Sequence, residues 1–312
     1  MAGYERVDVS DWKFAVEETA GRSEKVWLVD PADSEEPRNR WLFKPVTIHK
    51  DGSIQCGDLS EKIAAEVASL LGVPSAEIRL AKRAGRDGSL SRNIRPRGYE
   101  LHSGHVWMSA SPDVPYPGLG WVNKGRAAAG YSLRNVLDSL RDIGAPPESK
   151  GAIRGAQETF VSYLALDAII ANADRHENNW GILRPIVGDA KTLLAPAYDN
   201  ENSLGYQLPD AHKTLILDGA KSGGVEGWAT RGQAVRFHHT SEAMPDLVAF
   251  AANAIKEVGT QDEWEQKLGD FEFDLVEEMV SAIPQMSSVA RTFAVKLTHT
   301  NIERLRHAIR DA

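Results

Sequence analysis

Strand-like and helix-like stretches of this 312-residue chain are segregated along its length, which limits the folds open to it. "KVWLVDP" and "RWLFKPV" are short aromatic and β-branched runs between Pro, Asp, Ser and Gly clusters, the pattern of strands. "DLSEKIAAEVASLLGVP" predicts a helix capped by Asp58 or Ser60. Its apolar face is Ile63, Val67, Leu70 and Leu71, and Gly72 with Pro74 stops it. "AEIRLAKRAGRDGSLSRNI" predicts two more strands joined by a Gly-rich turn. After about residue 98, five stretches carry apolar residues at helical spacing, with a loop-rich segment over residues 172–230. The expectation is an α+β, two-lobed fold. A small sheet-containing lobe (1–98) precedes a larger, mainly helical lobe (99–312), with a ligand cleft between them.

Composition removes several classes of function. With 36 Lys+Arg against 44 Asp+Glu, the net charge of -8 disfavours a dedicated nucleic-acid binder, so no direct DNA binding is expected. The basic run Lys82 to Arg97 is read as a solvated hairpin. The single cysteine, Cys56, permits neither an internal disulfide nor a cysteine-based zinc cage. The opening residues lack an apolar signal core and no run is long enough to span a membrane, so a cytoplasmic protein without membrane contact is expected.

The chemistry concentrates in "NADRHENNWG", straight after the apolar run "YLALDAIIA". Asp174 is followed five residues later by Asn179, and Asp199 closes the strand-like "LLAPAYD". Phosphoryl transfer from ATP asks for this order. One Asp orients and deprotonates the attacking hydroxyl, an Asn on the same loop binds a metal ion, and a second Asp binds the metals that bridge the phosphates. Mg²⁺ wants the oxygen ligands that Asn179 and Asp199 supply. Lys44 at the end of "RWLFK" is the candidate for the phosphates, with Glu61 on the next helix to orient it. Gly21, with the backbone N–H groups of Arg22 and Ser23, offers a phosphate-covering turn. Each residue alone has an ordinary structural explanation, as a loop cap, a strand-end lysine or a first-turn glutamate; their order along the chain carries the signal.

These residues resemble the HipA-like kinases, the serine/threonine kinase family of bacterial toxin–antitoxin systems, and more distantly the phosphatidylinositol 3- and 4-kinases. The family's Asn-x-Asp-x-His-x-x-Asn loop is matched by Asn172, Asp174, His176 and Asn179, and its Pro-x-Tyr-Asp strand end by "PAYD" with Asp199. Lys44 and Glu61 match its ATP lysine and helix glutamate, and "FAVKLTHTNIERL" its distal helix. The chain departs from the pattern in lacking an obvious Gly-rich loop and in carrying Asn200 after Asp199. The resemblance implies an α+β, two-lobed protein-kinase-like fold and an ATP- and Mg²⁺-dependent phosphotransferase, with His176 supporting the loop and an antitoxin-like partner in prospect. It also makes Ser23 a candidate regulatory autophosphorylation site. The leading expectation is a Ser/Thr protein kinase. The alternatives are a small-molecule or peptide-tailoring phosphotransferase on the same scaffold, and a non-catalytic pseudokinase that binds a partner.

Overall fold

The computed structural model describes residues 4–17, 24–50, 52, 54–118, 120–122, 127–147, 149, 155–240 and 244–311. The first strands are β1 (Val7–Asp8), β2 (Lys13–Glu17), β3 (Val26–Val29) and β4 (Arg40–Pro45). A short hairpin, β5 (Thr47–Ile48) and β6 (Ile54–Gln55), leads to helix α1 (Gly57–Leu70), then to β7 (Ile78–Arg83) and β8 (Arg86–Arg92). Six of these strands form one sheet in the order β1-β7-β8-β4-β3-β2, antiparallel except for the β1–β7 pair.

Alternation along β4 decides which side chains face the ligand cleft. Trp41 and Phe43 point to one face and join Val9, Leu28, Ala81 and Leu90 in a small core. Lys44 has the opposite parity and faces α1 and the cleft. Helix α1 packs on β7 and β8 through Ile63, Ala64 and Val67. It begins after Cys56, with Asp58 in its first turn, so neither Asp58 nor Ser60 is the cap. Gly72 ends it at φ +63, where Val73 N–H donates to Ala68 O at 2.8 Å.

The register sets Gly88 opposite Pro45 and Ser89 opposite Lys44. A Cβ on Gly88 would lie 2.2 Å from the Lys44 carbonyl oxygen, a backbone atom that cannot turn aside. Gly88→Ala is therefore expected to destabilise the fold by about 1–3 kcal/mol and to displace Lys44. Thermal denaturation checks the first effect and nucleotide titration the second; an unchanged melting temperature would contradict it.

The rest of the chain is mainly helical. It runs through β9 (Tyr99–Ser103), α2 (Gly104–Ser109), the hairpin β10 (Trp121–Val122) and β11 (Ala127–Ala128), and α3 (Leu133–Ser139). Then come α4 (Ala156–Ile170), β12 (Gly181–Pro185), β13 (Leu193–Leu194), α5 (Asp210–Leu217) and α6 (Gly224–Ala229). Helices α7 (Leu247–Glu257), α8 (Gln261–Gly269), α9 (Phe273–Ser281) and α10 (Ser288–Asp311) complete it. Helix α4 is apolar all round and lies at the centre, with α7 and α10 against it. Strands β13, β12 and β9 form a second, three-stranded sheet that carries the loops on either side of β12. Trp180, just before β12, is fully buried and packs edge-on to Phe160 of α4. Among the described residues no helix is long and apolar enough to cross a membrane.

Candidate active site

Helix α4 ends at Ala171 in the left-handed region, φ +55, which turns the chain into the polar loop. The loop is tied by its own bonds. Asp174 N–H donates to Asn172 Oδ1 at 3.0 Å, and Asn179 Nδ2 to the Asp174 carbonyl at 2.8 Å. Beneath it lies Arg175, 2 % exposed. Its guanidinium grips Asp167 of α4 at two points, Nε to Oδ2 at 2.9 Å and Nη2 to Oδ1 at 2.7 Å. Nη1 donates to the Asn179 carbonyl at 2.7 Å and the Tyr198 carbonyl at 3.2 Å, and Nη2 to Asn200 Oδ1 at 2.6 Å. One buried cation thus holds the Asp174 loop and the Asp199 strand end together. Burial pushes the Asp167 carboxyl up, but its partner is a guanidinium, which stays charged, so the pair is ionised.

Asp199 stands at φ +60, a conformation that costs an L residue energy and that this setting enforces. Lys44 Nζ reaches Asp199 Oδ1 at 2.5 Å and lies 3.7 Å from Glu201 Oε2; Lys25 Nζ lies 3.9 Å from Asp199 Oδ2. Burial disfavours charge on both main partners. The carboxylates of Asp199, Glu61 and Glu201 nevertheless hold the Lys44 ammonium well above its usual pKa. Lys44 and Lys25 in turn hold Asp199 at about 2. Glu61 does not reach Lys44. Its Oε1 accepts from Asn200 N–H at 3.0 Å, while its Oε2 is buried without a hydrogen-bond partner. Burial, aided by the nearby acids, pushes its carboxyl up.

Glu61, Asp199 and Glu201 each offer a carboxylate oxygen, and these oxygens lie within 4.8 Å of one another. An all-oxygen donor set with one orphaned buried oxygen suits a hard divalent cation. Asn179 spends its side-chain nitrogen inside the loop, so its amide oxygen is the atom it can offer. His176 accepts from Asn178 N–H through Nδ1 at 3.1 Å, and burial pushes its pKa down, which suits a loop-supporting role over a charged one.

The structure brings Lys44, Glu61 and Asp199 together, and Arg175 ties the loop of Asp174 and Asn179 to the Asp199 strand end; Gly21, Arg22 and Ser23 lie outside the described residues. Sequence reasoning missed Lys25, Arg175, Asn200, Glu201, Asn202 and Arg236. Asp174 Oδ1 accepts from Arg236 Nε at 2.7 Å and Nη2 at 2.5 Å, and its Oδ2 accepts from Asn202 Nδ2. One signal was available, the lone Asp167 inside an otherwise apolar helix, a position that requires a buried partner.

The arrangement is that of a two-lobed kinase-like fold, and solved structures agree. The Helicobacter pylori proinflammatory kinase CtkA matches with a TM-score of 0.73 at 15% identity, over 98% of this chain and 99% of that one. HipA of Shewanella oneidensis MR-1, solved with HipB and operator DNA, matches with a TM-score of 0.57 at 13% identity, over 96% of this chain and 68% of that one. The chain belongs to the HipA-like family: the family's C-terminal domain matches residues 17–264. No protein among the curated ones matches the sequence.

Proposed function

We propose that this chain is an ATP- and Mg²⁺-dependent kinase that transfers the γ-phosphate to a serine or threonine hydroxyl of a protein. The observation that supports it most is Arg175. It fastens the Asp174 loop and the Asp199 strand end into one unit, opposite a buried lysine that already neutralises Asp199. Asp174 orients the acceptor hydroxyl and takes its proton. Asn179 and Asp199, with Glu201 close by, would hold Mg²⁺, which would supply positive charge against the phosphates. Lys44 transfers its contact from Asp199 to the α- and β-phosphates, and the Glu61 carboxylate helps to keep it charged. Family membership supports the Ser/Thr reading, and the Shewanella HipA seen with HipB supports an antitoxin-like partner.

The test is Asp174→Asn. Nucleotide affinity is expected to stay within a few-fold of the wild type, while turnover falls by about a hundred- to ten-thousand-fold. Phosphotransfer is followed with labelled ATP and a bacterial lysate as acceptor pool. Near-wild-type turnover in the variant would remove Asp174 from the chemistry. Absence of phosphotransfer by the wild type, with Mg-ATP bound, would favour a pseudokinase.

A further inference from the structure

Both carboxylate oxygens of Asp174 are engaged, Oδ1 by the Arg236 guanidinium and Oδ2 by Asn202. Oδ1 is taken up by the Arg236 guanidinium, whose Nε and Nη2 lie 2.7 and 2.5 Å from it, so that oxygen can receive a hydroxyl only when the side chain moves; Oδ2 keeps a lone pair beside Asn202. Arg236 comes from a segment 62 residues further along the chain, between α6 and α7, and that segment is firmly seated. Phe237 is buried and stacks on Tyr131 with ring centroids 4.7 Å apart. His238 N–H donates to the Tyr131 carbonyl at 2.7 Å, and Ala234 N–H to the Pro245 carbonyl at 3.1 Å. The backbone of residues 234–238 is thus anchored, while the Arg236 side chain is 33% exposed.

The transferring phosphoryl group spreads its charge over three equatorial oxygens, beside the acceptor oxygen that faces the base. A cation is wanted there. The other cations of the site are committed elsewhere. Lys44 and Lys25 lie on Asp199, and Arg175 is buried against Asp167.

We propose that Arg236 is a catalytic residue of this chain. At rest it caps Asp174, and in turnover it slides from Oδ1 onto the phosphoryl group, freeing the base as it neutralises the charge in flight. The acceptor O–H proton passes to Asp174 and the O–Pγ bond forms. The bond from Pγ to the bridging oxygen breaks, and its electron pair leaves with ADP. Arg236 neither gains nor loses a proton, since guanidinium stays charged. The inference rests on the kinase reading above.

The experiment needs no acceptor. Mg-ADP with aluminium fluoride, a mimic of the phosphoryl group in flight, is titrated against wild type, Arg236→Gln and Arg236→Lys, with Mg-ADP alone as reference. Arg236→Gln is expected to bind Mg-ADP within about threefold of the wild type. It should lose the extra tightening given by aluminium fluoride by about a hundredfold or more, as for oxyanion donors and arginine fingers. Arg236→Lys, which keeps the charge without the fork, should recover part of it. Equal tightening in wild type and Arg236→Gln would overturn the proposal and leave Arg236 an orienter of Asp174. Should Arg236→Gln fail to fold, wild-type tightening in Arg236→Lys overturns it and a partial loss supports it. If the wild type does not bind Mg-ADP at all, the kinase reading falls and the proposal with it.

Discussion

Asp199→Ala is expected to abolish phosphotransfer and to remove the advantage that Mg²⁺ gives to nucleotide binding, while the protein stays folded. The carboxylate is the one on which Lys44 and Lys25 converge, and it leads the acids able to hold a divalent ion. Removing one partner of a buried ion pair ordinarily costs about 3–5 kcal/mol, because the other charge is stranded. Here Lys44 is not stranded. Glu201 Oε2 is 3.7 Å from it, and the Glu61 carboxylate also favours its charge. The melting temperature should therefore fall only slightly. Nucleotide affinity is measured with and without Mg²⁺: loss confined to the Mg²⁺ condition supports metal ligation by Asp199, and equal weakening in both rules it out.

Arg175→Met should produce the largest loss of stability. The substitution strands Asp167, which is buried in α4, and leaves the Asn179, Tyr198 and Asn200 acceptors without their donor. About 3–5 kcal/mol is at stake from the ion pair alone, and the melting temperature should drop by roughly 5–10 °C. Adding Asp167→Leu removes the stranded charge and should restore much of that stability, because a buried pair can be replaced by apolar residues at little net cost. Activity should not return, since the two loops would still lack their common anchor. If activity recovers with stability in the double variant, the guanidinium is only a structural filler.

The lobed α+β architecture was legible because hydrophobic periodicity changes along the chain and the key acids lie at fixed spacings on one loop and one strand end. The rest depends on contacts that spacing does not encode. Nothing local says that Arg175, among three charged residues in "DRHE", turns inward, or that Arg236 comes back to Asp174. Helices α5 and α6 fall in a Gly-rich stretch that suggests loop, and they pack against each other and against α10. The stretch "EWEQKLGDFEFDLVEEMVSAI", with apolar residues at helical spacing throughout, is two helices, α8 and α9, parted between Gly269 and Phe273. Glu61 was expected to orient Lys44. Here it accepts the Asn200 N–H, a pairing set by how α1 seats on the Asp199 strand end.

The spans of these contacts also bear on the order in which the site is built during folding. Arg175 makes its bonds to partners 4 to 25 residues away, so the acid loops close cheaply and early. Helix α1 is braced by Arg6, whose guanidinium meets Asp58 at 2.6 Å and the Gly88 carbonyl at 3.0 Å, across 52 and 82 residues. Lys44 finds Asp199 across 155. Long loops are closed late, so a refolding chain should recover its acid pair before its phosphate-gripping lysine. For part of that time Asp199 would stand beside the Asp174 loop without the ammonium that neutralises it.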